Sequence, residues 1–206
     1  MRRVLAPATA MLLMLFNAVM AQGQERDLRL TATITGQQSC AVSASVDALR
    51  LNLQLRYTNV GKEKLILYKG NRLFFQIFIG RGGADAATRR SELRTTHSRY
   101  FDEQPEKIVA SAPGSVFTTL SPGDSYETKQ VISVPVARDG EGLFNVSIAA
   151  GEHLLNVAAS TWYESKKLAE DLRARWRTHG FLWTDPLISN EVAFVVDKKY
   201  STAACQ

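Results

Sequence analysis

The sequence predicts an all-β antiparallel sandwich carrying one amphipathic helix, on three observations. Apolar and polar residues alternate with a period of two in several segments, turn residues punctuate those segments at short intervals, and a single late stretch switches to helical spacing. Residues 1–21 stand apart from this pattern. Arg2 and Arg3 precede an apolar run over 10–20, and the small residues Val19 and Ala21 follow two positions apart, which is the make-up of a secretory signal peptide. The run is shorter than the roughly 20 residues a bilayer requires, and the polar stretch from Gln22 to Arg26 comes at once. Residues 22–206 are then expected to form a single sandwich domain.

The first strand is expected where Leu28, Leu30, Ala32 and Ile34 alternate with Arg29, Thr31 and Thr33. The second is clearer: Leu49, Leu51, Leu53, Leu55 and Tyr57 alternate with Arg50, Asn52, Gln54, Arg56 and Thr58, a pattern a helix would smear around its circumference. Asn59-Val60-Gly61 then supplies a turn, because Asn and Gly tolerate the left-handed backbone of a tight reversal. A strand over 65–68 and a Gly70-Asn71 turn lead into 73–79, which is apolar on both faces and therefore central in its sheet. Further strands are expected over 116–120, 126–136, 143–148, 154–158 and 191–196, with Ser121-Pro122-Gly123-Asp124 as the turn between the first two.

Over 165–179 the spacing changes. Leu168, Leu172 and Trp176 recur every four positions among lysines, arginines and acids, which predicts an amphipathic helix of about four turns inserted before the last strand. Gly180 is placed to end it, and Thr161 with Glu164 has the spacing of a capping box that would start it earlier. Residues 80–106 show no sustained apolar period and are expected to form a long loop, with a short strand around 93–100 as the alternative.

Three stretches, Tyr57-Thr58-Asn59-Val60-Gly61, Leu120-Ser121-Pro122-Gly123-Asp124-Ser125 and Gly151-Glu152-His153-Leu154-Leu155-Asn156-Val157, resemble the immunoglobulin-like domains of exported bacterial proteins. The resemblance touches about half of residues 22–206 and rests on turns. It implies an immunoglobulin-like antiparallel β-sandwich, in a class whose members inhibit proteinases, assist assembly or mediate adhesion. The chain departs from antibody domains in lacking their Cys-Trp-Cys core, since Cys205 follows the last strand and every Trp falls within 162–183. A lipocalin-like barrel is the rival fold, with its late helix and late cysteine, but the Gly-x-Trp of its first strand is missing.

Composition narrows the function. The whole chain carries +5, and loss of Arg2 and Arg3 with no acid leaves +3, too mild to imply nucleic acid. Beyond 1–21 every apolar stretch is strand-sized, so no membrane span is expected after cleavage, and the protein is expected to be extracytoplasmic, periplasmic or secreted. Cys40 and Cys205 are the only cysteines, and in an oxidising compartment they are expected to form one disulfide.

No recognisable catalytic signature is present. His97, His153 and His179 are far apart in sequence and belong to no metal-binding pair, no nucleophile elbow occurs, and Gly80-Arg81-Gly82-Gly83 lacks the setting of a dinucleotide loop. No catalytic residue, cofactor or metal is therefore assigned. Two candidate binding surfaces stand out. Arg81, Arg89, Arg90, Arg94 and Arg99, set against Asp85 and Glu92, give 81–99 a net charge of +3 that could meet an anionic polymer. Trp162, Tyr163 and Trp183 could form an aromatic surface, although packing of the helix explains the tryptophans more simply. The function these features suggest is an exported, non-catalytic binding or assembly module that recognises a protein or an anionic envelope polymer through loops. The alternatives are an exported enzyme with an unrecognised site and a proteinase inhibitor.

Overall fold

The computed structural model of the chain describes residues 26–42, 46–69, 74–82, 91–98, 112–138, 142–162 and 164–197. The expected signal segment 1–21, the Gly70-Asn71 turn and Cys205 lie outside the described residues. The fold is mostly β, with antiparallel sheets in a sandwich-like arrangement and one short helix among the described residues.

The first sheet has the order β1-β2-β7 and is built from long strands: β1 (Leu28–Ala41), β2 (Val46–Asn59) and β7 (Ser125–Ala137). Alternation in β2 turns Leu49, Leu51, Leu53, Leu55 and Tyr57 inward, all essentially without solvent exposure, while Asn52 and Arg56 face water. Each such buried Leu is worth about 1.5–3 kcal/mol relative to exposure, and a one-residue slip of register would reverse every one of them.

Opposite it, β8 (Gly151–Ser160) pairs antiparallel with β4 (Phe74–Arg81), and β4 with β5 (Ser91–Ser98). The doubly apolar β4 is thus central, as its composition predicts. On the other flank of β8 lie β10 (Leu187–Ile188) and β11 (Val192–Val196), consecutive on the same edge. Between them Ser189 donates its N–H to Val157 O at 2.9 Å and accepts from Val157 N–H through Oγ at 3.0 Å, so its side chain replaces a missing ladder bond.

A small third sheet closes one end. In it β3 (Leu65–Tyr68) pairs antiparallel with β6 (Phe117–Leu120) and parallel with β9 (Phe181–Leu182). Helix α1 (Lys166–Arg175) leads into β9. All four residues of β3 are buried, as expected for a strand covered on both faces.

Two seams join the main sheets. On one side Asn190 reaches the outer edge of β1, accepting from Ala32 N–H at 2.9 Å and donating to Ala32 O at 3.3 Å. On the other, Ile148 bridges to Val136 of β7 while Asn145 Oδ1 accepts from Arg94 N–H of β5 at 3.2 Å. Asn145 has φ +57°, a left-handed backbone that Asn tolerates better than other side chains.

This second seam corrects the strand expected over 143–148. Val146 and Ser147 both donate N–H groups to Leu143 O, making a turn that leaves Leu143, Phe144 and Val146 exposed. Apolar residues alone suggested a strand there; local hydrogen bonding decided otherwise. A second correction concerns 80–106. It is not one loop, because β4 extends to Arg81 and Ser91–Ser98 is paired along β4. The short strand offered as the alternative around 93–100 is β5, and polar composition kept it second, since of its residues 91–98 only Leu93 is a large apolar side chain.

The helix is also shorter than the 165–179 expected. Ser165, not Thr161, is its N-cap, accepting from Leu168 N–H, and residues 176–179 form turns. Thr161 is instead buried, its hydroxyl donating to Asp185 O at 2.9 Å.

Candidate functional site

Two of the three stretches that carried the immunoglobulin-like resemblance, the turns at 59–61 and 121–124, meet in space. Asn59 is wholly buried, donating from Nδ2 to Leu120 O at 2.9 Å and to Glu63 O at 2.8 Å, and accepting from Gly61 N–H at 3.1 Å. Its backbone N–H reaches Asp124 O, and Gly123, at φ +86°, donates back to Asn59 O. One side chain therefore pins both turns, and with them the start of β3 and the end of β6. This clamp fixes the backbone next to Glu63 and Lys64, two residues of the cleft described next.

On the other wall, α1 is anchored by Trp176, which is fully buried and packs edge-on against the Phe117 ring at 4.9 Å. Phe117 in turn meets Tyr68 at 5.5 Å, and Tyr68 meets Trp162 at 6.4 Å, a row of tilted rings of the kind aromatic quadrupoles favour. After Trp176 the chain reverses through Gly180, at φ +145°, where an added Cβ would lie 2.8 Å from Lys64 O. Phe181 then donates to Lys64 O at 2.8 Å and Trp183 to Ile66 O at 2.9 Å, seating β9 beside β3. Residues 177–180 are left as a lip.

Between that lip and the Glu63-Lys64 segment lies a cleft of about 520 Å³, lined by Arg26, Glu63, Lys64, Arg173, Arg177, Thr178, His179, Gly180 and Phe181. At its centre the Phe181 ring is flanked by two guanidiniums, Arg26 at 4.0 Å and Arg173 at 4.4 Å from the ring centroid. Arg173 is held in place from behind: Nε donates to Leu182 O at 3.0 Å and Nη2 to Thr184 Oγ1 at 2.6 Å. Those bonds use two of its five N–H donors. Arg26 pairs with Glu63 at 2.5 Å. Four cations thus face one carboxylate. The helix presents its C-terminal end here, so the positive field comes from side chains and not from the macrodipole.

The arginines proposed from sequence are not brought together among the described residues. Arg81 ends β4 and is exposed; Arg94 lies on β5, where Nη2 donates to Gln76 Oε1 at 2.9 Å and the guanidinium stands 5.4 Å from the Phe78 ring. Arg89, Arg90 and Arg99 lie outside the described residues, as does Tyr163. Trp162 and Trp183 are half-buried and packed on the core, their indole N–H groups donating to Ser165 O at 3.4 Å and Asp185 O at 2.9 Å. Cys40 is buried, and none of the described cysteines is free.

His153 is buried, with Nε2 2.9 Å from Ala149 O and its ring stacked on Phe194, whereas His179 lines the cleft. Among the described residues no group of three or more His, Cys, Asp or Glu side chains converges as a metal site would require. Nor does any described helix have the length and apolarity to cross a membrane. Sequence reading missed the cleft because its cations are scattered from residue 26 to 177. The one local signal was Arg173 and Arg177, four apart on the polar face of the predicted helix.

No family model and no curated protein matches the chain. It is similar to a crystal structure described as that of the "Putative ApaA Protein from Bordetella pertussis", with a TM-score of 0.37 and 9% identity over 86% of this chain and 99% of that one. A likeness of that size carries no argument.

Proposed function

We propose that the chain is an exported, immunoglobulin-like binding module whose cleft between α1 and β3 recognises an oxyanion-bearing partner. The carrying observation is the cleft itself, where, among the described lining residues, Arg26, Lys64, Arg173 and Arg177 are opposed only by Glu63. Because two guanidiniums already stand over the Phe181 ring, the groups left to meet a ligand are chiefly N–H donors. Arg173 is oriented by its bonds to Leu182 and Thr184, so little side-chain freedom is lost when it binds an anion. Export is supported by residues 1–21, and the immunoglobulin-like reading by the Asn59 clamp between the two turns.

The test is phosphate-resin chromatography with a charge-matched control. Lys64→Ser with Arg177→Ser is expected to elute at clearly lower salt than the unaltered protein. Lys166→Ser with Lys167→Ser, which removes the same charge from the exposed face of α1, is expected to shift elution far less. Equal shifts would reduce the cleft to net charge alone. N-terminal sequencing of protein recovered from the extracytoplasmic fraction is expected to begin at Gln22.

A further inference from the structure

A second basic surface adjoins the cleft. The outward face of the β1-β2-β7 sheet carries Arg29, Arg56 and Lys129, and a groove of about 330 Å³ on it is lined by Arg29, Thr31, Gln54, Arg56 and Thr58, among others. Register places Arg29 beside Thr58 and Thr31 beside Arg56. Glu127 is the acid on this face, accepting from Arg56 Nε at 2.6 Å and from Gln54 Nε2 at 2.5 Å. Arg56 above all, then Gln54, holds the Glu127 carboxyl below its usual range, so it is committed as an anion to those partners. Lys129 also draws on the Glu127 charge, more weakly, and Arg29 is left without a described carboxylate.

The two basic surfaces meet where the chain enters β1. Arg26 lines the cleft and Arg29 lines the groove, three residues further on, so their Cα atoms are at most about 10 Å apart. Asp27 lies between them in sequence, and its carbonyl accepts from Val60 and Gly61, which keeps this segment against the β2 turn. One small anion cannot touch both surfaces. A chain of anions can.

We infer that the ligand is a linear polyanion, its repeating phosphate, sulfate or carboxylate groups running from the α1-β3 cleft past Arg26 onto Arg29 and the outer face of the first sheet. This deepens the proposed function and rests on the cleft reading. Once one group is held in the cleft, the next engages the groove as an intramolecular event, so affinity depends on chain length.

The experiment is calorimetric titration of the purified protein with pyrophosphate and with length-fractionated polyphosphate, and in a parallel arm with length-fractionated heparin oligosaccharides. Circular dichroism establishes that each variant is folded. Affinity is expected to rise with length and then level off once the chain spans both surfaces. Arg29→Ser is expected to weaken long chains about two- to fivefold, as for loss of an exposed ion pair, and to leave pyrophosphate unaffected. Lys64→Ser with Arg177→Ser is expected to weaken short and long ligands alike. Tighter binding in one arm identifies phosphate or sulfated glycan as the source, and either supports the inference. A flat length series, or long-chain binding insensitive to Arg29→Ser, would overturn the bridging and leave the cleft reading standing. Pyrophosphate binding unchanged by the Lys64 and Arg177 changes would overturn the cleft reading itself.

Discussion

Tyr57 is buried to its hydroxyl, which finds no hydrogen-bond partner among the described residues. Burial, with a smaller contribution from Tyr126, pushes its phenol above the usual tyrosine range. In the unfolded chain the phenol ionises near pH ~10, whereas in the fold it stays neutral, so its contribution to stability is complete below about pH 10 and is lost above it. Tyr57→Phe is expected to leave stability at neutral pH unchanged or raise it by up to about 1 kcal/mol, because an unsatisfied hydroxyl is removed. The same variant is expected to lose less stability than the parent between about pH 9 and pH 11. Urea unfolding at both ends of that range decides it, and a variant much weaker at neutral pH would mean the hydroxyl has a partner. Asn59 is the opposite case at this scale: equally buried, and bonded through both Oδ1 and Nδ2.

Among the elements, α1 shows how far periodicity can be trusted. Leu172 and Trp176 are fully buried and Leu168 is half-buried against the core, as the four-residue spacing requires. Trp176→Ala is expected to destabilise by about 3–5 kcal/mol and Lys167→Ala by less than about 0.5 kcal/mol, read from thermal or urea unfolding. Similar small losses would mean that the helix is not docked. What the sequence pattern could not supply was the end of the helix. Trp176 donates its N–H to Leu172 O, yet the chain leaves helical geometry there, because Gly180 must turn close over Lys64 for β9 to pair with β3. The same limit explains β5. Its partner β4 is identified by an apolar run, but a polar strand is defined by its ladder, so the sequence offered β5 only as an alternative around 93–100 and missed its bounds. The long strands β1, β2 and β7 were legible because one face is core and the other water. The cleft was not, because it joins side chains from the segment before β1, the β2-β3 turn, the helix and the lip that leads into β9.

For the whole molecule, the expected covalent closure joins Cys40, near the end of β1 and not a free thiol, to Cys205, beyond the described residues. Non-reducing mass spectrometry of the exported protein is expected to show no alkylatable thiol, and two would exclude the pairing. A bridge closing a loop of about 165 residues can contribute up to roughly 5 kcal/mol by restricting the unfolded chain. The non-covalent seams impose an order in time. The β1-β2 hairpin is local and can form early, but the outer edge of β1 at Ala32 is capped by Asn190, and β3 waits for Phe181. A chain emerging N-terminus first therefore holds its earliest hairpin with an uncapped edge until Asn190 has arrived. The final strands are the latch, and any interruption of synthesis before residue 190 leaves a sticky half-structure for proteases to find.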